Sequence, residues 1–313
     1  MKIVIVGWGV QGEKRHRVAG SDVVALVDPI KVGADYRHIQ EVPLAMFDAA
    51  LVCVPDAAKE EIVTYLLENG KHVLVEKPLW APDLATLEYW ERLAKEKQLV
   101  CYTAYNHRFE PHWVKMRHWI HSGELGRIYH CRLFYGNGTA RIVRQSWRDQ
   151  GAGVLTDLAP HLLDVMDFWF GSRDEHYRIA TARCFENQAA DHVIVINQDT
   201  EPQIALEMTL LSWRNEFTCD VLGEKGSAHI RSLCKWGPSE WVMRKRIFPS
   251  GRPLEESMTV IQPDPTWALE YAHFNYLVSH RVVTDLSRDR WIYRLLAALG
   301  ARVMEMNETC QIR

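Results

Sequence analysis

No run of about 18 or more uninterrupted apolar residues occurs in this chain, so no membrane-spanning helix is expected. An excess of charge of one sign is also missing. The 37 Lys and Arg stand against 40 Asp and Glu, a formal net charge of −3. That balance gives no electrostatic reason to expect a nucleic acid or an anionic membrane as partner. C-x-x-C pairs are absent too. The seven cysteines, at 53, 101, 131, 184, 219, 234 and 310, are odd in number and scattered. They read as reduced, mostly buried thiols of a reducing compartment. The opening MKIVIVGWG has a short apolar run and no small-residue cleavage site, so it is expected to be a first strand of a cytoplasmic protein and not a signal peptide. No internal repeat, low-complexity tract or Gly/Ser linker separates the parts of the chain, which suggests closely apposed domains. What remains is an ordinary globular composition, 47% hydrophobic and 25% charged over 313 residues. That length suits about two domains, with a core large enough to need no disulfide or metal staple.

Short β-branched runs fill the first hundred residues: IVIV (3–6), VVALV (23–27), AALVCV (49–54), HVLV (72–75) and LVCY (99–102). Their apolarity is continuous, not alternating, as in strands covered on both faces. Helical patterns lie between several of them, at 57–69 and 82–97, the second opening with Pro82. Strand alternating with helix predicts a doubly wound parallel sheet. The segment 29–48 is weakly patterned, so one crossover helix there is expected to be stunted. After about residue 105 the pattern changes. Helices are expected at 110–122 and 153–170. Alternating strands are expected at 127–136, 177–186, 191–198, 203–212, 216–222 and 226–232, and two helices, 266–280 and 288–307, finish the chain. The fold class is therefore an α/β Rossmann domain, 1–105, followed by an α+β domain, 106–313, with a large, mainly antiparallel open sheet.

Residues 7–12 read GWGVQG, a G-x-G-x-x-G sequence between a strand and a helix. In that context Gly7 permits the tight turn, Gly9 lets a pyrophosphate approach and Gly12 lets helix and strand pack, while helix N–H groups meet the phosphate. Asp28 follows Gly7 by 21 residues at the end of the second strand. An acid there suits a ribose diol and repels a 2′-phosphate, favouring NAD over NADP; the alternative is that Asp28-Pro29 starts a turn.

The fourth strand ends in VLVEKPL, which places Lys77 at the carboxyl end of a parallel strand, where ligands bind in such sheets. Pro78 restricts the backbone beside it and is a candidate cis residue. A surface Lys before a helix-entry Pro is the bland reading. In GAGVLTDLAPHLLD (151–164), Asp157 and His161 lie four residues apart on one helix face among Leu155, Leu158, Leu162 and Leu163. Such a pair is costly unless it faces a cavity or each other. An imidazole oriented by a carboxylate suits general-base work, whereas a helix cap and a satisfied core histidine form the alternative. His107, His112, His118 and His121 show no recognisable ligand spacing, and no metal is expected.

GWGVQG, EKP and DLAPHLLD, taken in order, resemble the Gfo/Idh/MocA family of nicotinamide-dependent oxidoreductases. So do YNHRFEPHWVKMRHWIHSGELGRI (105–128) and WRDQGAGVLTDLAPHLLDVMDFWFG (147–171). The resemblance implies a hydride-transfer site of Lys77, Asp157 and His161 acting on a sugar, cyclitol or nucleotide sugar. His161 would exchange the hydroxyl proton, Lys77 would polarise the same oxygen, and Asp157 would bind substrate. It implies NAD contacts from Gly7, Trp8, Gly9, Val10, Gly12, Asp28, Pro55, Glu76, Lys77 and Asn106. Substrate contacts would come from Asn106, Arg108, Trp147 and Arg148 as well, with interdomain packing as the alternative for the last three. It also implies a homodimer or homotetramer formed through the open sheet. Ala159, followed by Pro160, stands where the family often has Gly and suggests a slightly altered approach to the substrate without loss of catalysis, while Ala152 in place of the middle Gly of the entry is a mild change. Redox-neutral elimination or glycoside cleavage with recycled NAD, and a non-catalytic dinucleotide sensor, are the other activities this framework supports.

Overall fold

The structure is a computed structural model that describes residues 1–172, 176–198 and 200–311, without the side chains of 198 and 308–311. Cys310, read above as a thiol, lies outside the described side chains; Cys53, Cys101, Cys131, Cys219 and Cys234 form no disulfide. The chain forms two compact units, Met1–Asn106 with Pro265–Tyr293, and His107–Asp264 with Arg294–Arg313.

In the first unit the elements are β1 (Ile3–Val6), α1 (Val10–Ala19), β2 (Val23–Val27), β3 (Ala49–Val52), α2 (Asp56–Glu68), β4 (His72–Glu76), α3 (Leu84–Glu96) and β5 (Cys101–Ala104). The five strands run parallel in the order β2-β1-β3-β4-β5. Both faces are covered. Val4, Val6, Ala50, Val52, Val73 and Val75 pack with Leu66, Leu87 and Trp90 of α2 and α3. Ile3, Ile5, Leu51 and Leu74 face the other way and pack with Tyr271 and Phe274. That double burial is why the strands read as continuous apolar runs. Between β2 and β3 stand two 3-10 turns, Ile39–Glu41 and Leu44–Met46, in place of a crossover α-helix.

In the second unit, α4 (Pro111–His121), β6 (Ile128–Gly138), α5 (Val154–Phe170), β7 (His176–Arg183), β8 (His192–Gln198), β9 (Gln203–Thr209), β10 (Leu211–Gly223), β11 (Gly226–Arg231), β12 (Ser239–Lys245) and β13 (Leu254–Val260) follow. The chain ends with α6 (Thr266–Ser279), which carries Tyr271 and Phe274 into the first unit, and α7 (Ser287–Gln311). The eight strands are ordered β13-β12-β11-β10-β6-β9-β8-β7, antiparallel except for β6 beside β9. No described helix is long and apolar enough to cross a membrane.

The strand series expected from sequence stops at 232, but β12 and β13 extend it. SEWVMRK and LEESMTV are charge-rich, and β13 is exposed along almost its whole length. These outer strands are held by main-chain ladders and by pairs such as Arg244–Glu255 at 2.6 Å, so no apolar periodicity marks them. β12 has apolar anchors in buried Met243 and in Trp241, which stands edge-on to Trp119 of α4 at 4.9 Å.

The centre of the second unit is aromatic. Phe217 of β10 is fully buried and packs against Trp113 at 5.2 Å and Tyr135 at 6.0 Å. Phe217→Ala is expected to lower the unfolding free energy by about 3–5 kcal/mol, read from denaturant melts. A loss under about 1 kcal/mol would show that the site collapses around the missing ring.

Candidate functional site

The glycine turn of the first unit is built by close approach. Gly7 has φ 95°, and a Cβ there would lie 2.6 Å from the Cys53 carbonyl oxygen; one on Gly12 would lie 2.1 Å from the Gly7 oxygen. Only glycine fits either place. Beside Gly9, by contrast, a Cβ would meet no protein atom within 4 Å. Gly9 begins α1 without a side-chain cap, and Val10, its first residue, is exposed. Open space over uncapped helix N–H groups fits a bound pyrophosphate. Asp28 is part of the same turn. Its carboxylate accepts from Trp8 N at 2.8 Å, Lys31 N at 2.8 Å and Ile30 N at 3.0 Å. Burial opposes its charge, but the backbone donors from Lys31, Ile30 and Trp8 outweigh it and hold the carboxyl below its usual range. The Trp8 ring stands edge-on to His16 at 5.3 Å, and exposed Pro55 caps the start of α2.

The EKP segment is held by two buried cations. Lys59 of α2, 1% exposed, donates to the Glu76 carbonyl at 2.7 Å and the Pro78 carbonyl at 2.6 Å, and pairs with Asp56 at 2.7 Å. It therefore clamps the backbone on both sides of Lys77, whose peptide to Pro78 is cis. Arg15 of α1, also 1% exposed, pairs with Glu76 at 2.7 Å and Glu270 of α6 at 2.7 Å, and lies over the Trp267 ring. Burial works against the Arg15 charge, yet Glu76 and Glu270 more than offset it. The Glu76 side chain is thus anchored by α1. Lys77 sits half-buried at the end of β4, and buried Asn106 donates to Thr266 Oγ1 at 2.8 Å.

In the second unit α5 runs unbroken through Pro160 and carries Asp157 and His161, 6% and 8% exposed. Asp157 accepts from Arg148 Nε at 2.9 Å, and Arg148 stacks over exposed Trp147. Trp147, Arg148 and Asp157 therefore form one cluster. Arg108 is engaged elsewhere on the same helix, by Asp164 at 2.7 Å and Asp167 at 2.5 Å. His161 is oriented by a residue whose part in the site the sequence reading missed. His107 Nδ1 lies 2.8 Å from His161 Nδ1. Lys235 Nζ lies 3.0 Å from His107 Nε2 and 2.9 Å from the Tyr135 hydroxyl. Burial keeps the Tyr135 hydroxyl protonated. Beyond Lys235, the Cys234 thiol donates to Glu110 Oε2 at 2.8 Å. No spacing pattern links 107, 135, 161 and 235; a histidine inside the Asn-x-Arg-Phe segment was the one available signal. Lys59 had a local signal, a Lys three residues after Asp56 on a helix that must bury one face.

Residues 1–105 match the oxidoreductase family with an NAD-binding Rossmann fold, and residues 113–229 match the GFO/IDH/MocA C-terminal domain. The chain belongs to the Gfo/Idh/MocA family, and its first part is that family's NAD-binding domain. Among its relatives is the uncharacterized oxidoreductase YdgJ of Escherichia coli, 28% identical over 188 residues, or 55% of this chain and 54% of that one. The chain thus spans about half the length of that relative. An inositol 2-dehydrogenase of Corynebacterium glutamicum is 22% identical over 270 residues, 78% of this chain and 79% of that one. Among solved structures, an oxidoreductase of Desulfitobacterium hafniense that carries the description NADPH-dependent has a TM-score of 0.82 at 16% identity, covering 98% of this chain and 96% of that one. A levoglucosan dehydrogenase in complex with NADH and levoglucosan scores 0.81 at 18% identity, covering 97% of each chain. These two structures share the fold.

Replacing the Lys59 ammonium with an apolar chain leaves two carbonyls without their donor. Lys59→Met is expected to cost about 2–4 kcal/mol in unfolding free energy. A melting temperature equal to that of the parent would mean that the carbonyls find other donors.

Proposed function

We propose that this protein is a dehydrogenase or reductase that moves a hydride between NAD and a secondary alcohol or ketone of a sugar, cyclitol or nucleotide sugar. His161, Lys77 and Asp157 form the acid–base and polarising set. The observation that carries this reading is the buried His161 imidazole, held ring to ring by His107 in a chain of this family. The inositol 2-dehydrogenase and levoglucosan dehydrogenase among its relatives and neighbours support a polyol or sugar as substrate.

NAD, when bound, supplies the hydride acceptor or donor at its nicotinamide ring. The chain binds, orients and moves the proton. The turn at Gly7, Gly9 and Gly12, with Trp8 and Val10, receives the pyrophosphate at the start of α1. Asp28 takes the ribose hydroxyls, and Pro55, Glu76 and Asn106 border the cofactor path. During oxidation His161 accepts the proton of the reacting hydroxyl, and it returns that proton in reduction. Lys77 would donate to the same oxygen, stabilise its developing negative charge and help hold the nicotinamide ribose. Asp157, fixed by Arg148, accepts a second substrate hydroxyl. Trp147 offers an apolar face to a sugar ring. Arg108 serves the site by bracing α5 through Asp164 and Asp167.

With myo-inositol, scyllo-inositol and levoglucosan as assay substrates, His161→Ala is expected to lower turnover by about 10²–10⁴-fold. NADH affinity, followed by its fluorescence, should be nearly unchanged. Undiminished turnover in that variant would refute the assignment. Asp28→Asn keeps an acceptor oxygen and removes the charge. It should raise the use of NADP relative to NAD by about tenfold or more, and a wild-type preference for NADPH over NADH would remove Asp28 from the ribose role.

A further inference from the structure

Four side chains from separate elements of the second unit meet in one hydrogen-bonded row. His161 comes from α5, His107 from the 3-10 turn Asn106–Phe109, Tyr135 from β6 and Lys235 from the 3-10 turn Cys234–Trp236. The contacts are His161 Nδ1 to His107 Nδ1 at 2.8 Å, His107 Nε2 to Lys235 Nζ at 3.0 Å, and Lys235 Nζ to the Tyr135 hydroxyl at 2.9 Å. Both imidazoles and Tyr135 are buried, while Lys235 is partly exposed. His107 also stacks on Trp113 at 5.3 Å, which fixes its ring plane.

The donor inventory of these groups permits two states when the imidazoles are neutral. An ammonium has donors and no acceptor. With Lys235 charged, His107 Nε2 must accept, so the His107 proton is on Nδ1. That proton is donated to His161 Nδ1, and His161 carries its own proton on Nε2. With Lys235 neutral, its lone pair can accept from His107 Nε2–H. Nδ1 of His107 then accepts from His161 Nδ1–H, and His161 Nε2 becomes a base.

We propose that Lys235, acting through His107, sets which ring nitrogen of His161 bears the proton and is the terminal store of the proton exchanged with substrate. This relay rests on the reading of His161 as the acid–base residue. In oxidation the substrate O–H bond breaks and a His161 Nε2–H bond forms. The His161 Nδ1 proton passes to His107 Nδ1, and the His107 Nε2 proton passes to Lys235 Nζ. NAD, when bound, would take the hydride from the same carbon, so that the proton balance leaves one ammonium and one ketone. Reduction runs the row backwards. His107 and Lys235 are positioning and relay residues; His161 alone meets the substrate.

The electrostatics suit that store. Burial pulls the Lys235 ammonium down to about 8, against the opposing pull of Asp264, Glu110, the Cys234 sulfur and Asp157. Its other neighbours, the Tyr135 hydroxyl and the Trp236 and Tyr135 rings, carry no charge in this range. Oxidation, which needs the amine, should therefore rise with pH through about 8, and reduction should fall through the same value.

The test is ¹⁵N-histidine NMR on the full chain at about pH 6.5 and about pH 9.5, on either side of that titration. His107→Gln and His161→Gln assign the signals. Expected at the lower pH are His107 protonated at Nδ1 and His161 at Nε2, with both tautomers inverted at the higher pH. Lys235→Arg, which keeps the charge and cannot lose it, should hold the low-pH tautomers throughout; Lys235→Met should abolish the inversion. A His107 protonated at Nε2 at the lower pH, or an inversion that persists in Lys235→Arg, overturns the relay. The parallel assay measures NAD-linked oxidation of myo-inositol, scyllo-inositol and levoglucosan. Lys235→Arg should lower kcat about tenfold or more and erase the inflection, with KM for NAD unchanged. Tautomer inversion without oxidation of any polyol would sink the functional reading and leave the coupled row standing. Oxidation abolished by His161→Ala, without tautomer inversion, would sink the relay alone.

Discussion

One contact, the bond between the Nδ1 atoms of His107 and His161, constrains the buried polar row of the second unit. Two imidazoles can share one hydrogen bond only if one donates and the other accepts, so neither ring is free to choose its tautomer alone. A buried ring without a partner would carry a desolvation cost of about 1–3 kcal/mol. The pairing removes that cost and turns orientation into protonation. Trp113 behind His107 and the α5 backbone behind His161 keep the row from swinging.

The first unit handles burial of charge in another way. Arg15 and Lys59 are both almost wholly enclosed, and each is surrounded by carboxylates or carbonyls from different elements. Arg15 joins α1, β4 and α6; Lys59 joins α2 to the turn after β4. A buried cation is tolerated only when its partners converge. These two therefore report that the end of β4 is a specified place, with Lys77 at its tip.

Much of this was legible in the residues. Continuous β-branched runs announced the parallel sheet because both faces are covered, and GWGVQG identified its turn because Gly7 and Gly12 leave no room for a side chain. Asp157 and His161 could be placed on one buried helix because helical spacing is local, although Asp157 is held by Arg148 and His161 by His107. His107, Tyr135 and Lys235 could not, since strand β6 and two short turns bring them together over a separation that no periodicity records. The absent crossover helix between β2 and β3 was visible as missing pattern. β12 and β13 were invisible for the opposite reason: outer strands satisfy their backbone through a neighbour and need no apolar stripe. Asp28 shows a further limit, because its spacing suggested a ribose acid but not the backbone donors from Trp8, Ile30 and Lys31 that hold its charge in place.

The outermost strand, β13, has its own consequence. It buries almost nothing and is tied to β12 by ladder bonds and by Arg244–Glu255 and Lys245–Glu256. Such a strand frays at little cost. β12 is pinned by Trp241 against Trp119, with Lys115 over both rings. Unzipping of the sheet from that side therefore halts one strand in. The glutamates carried on the loosened rim make it a poor template for a foreign strand.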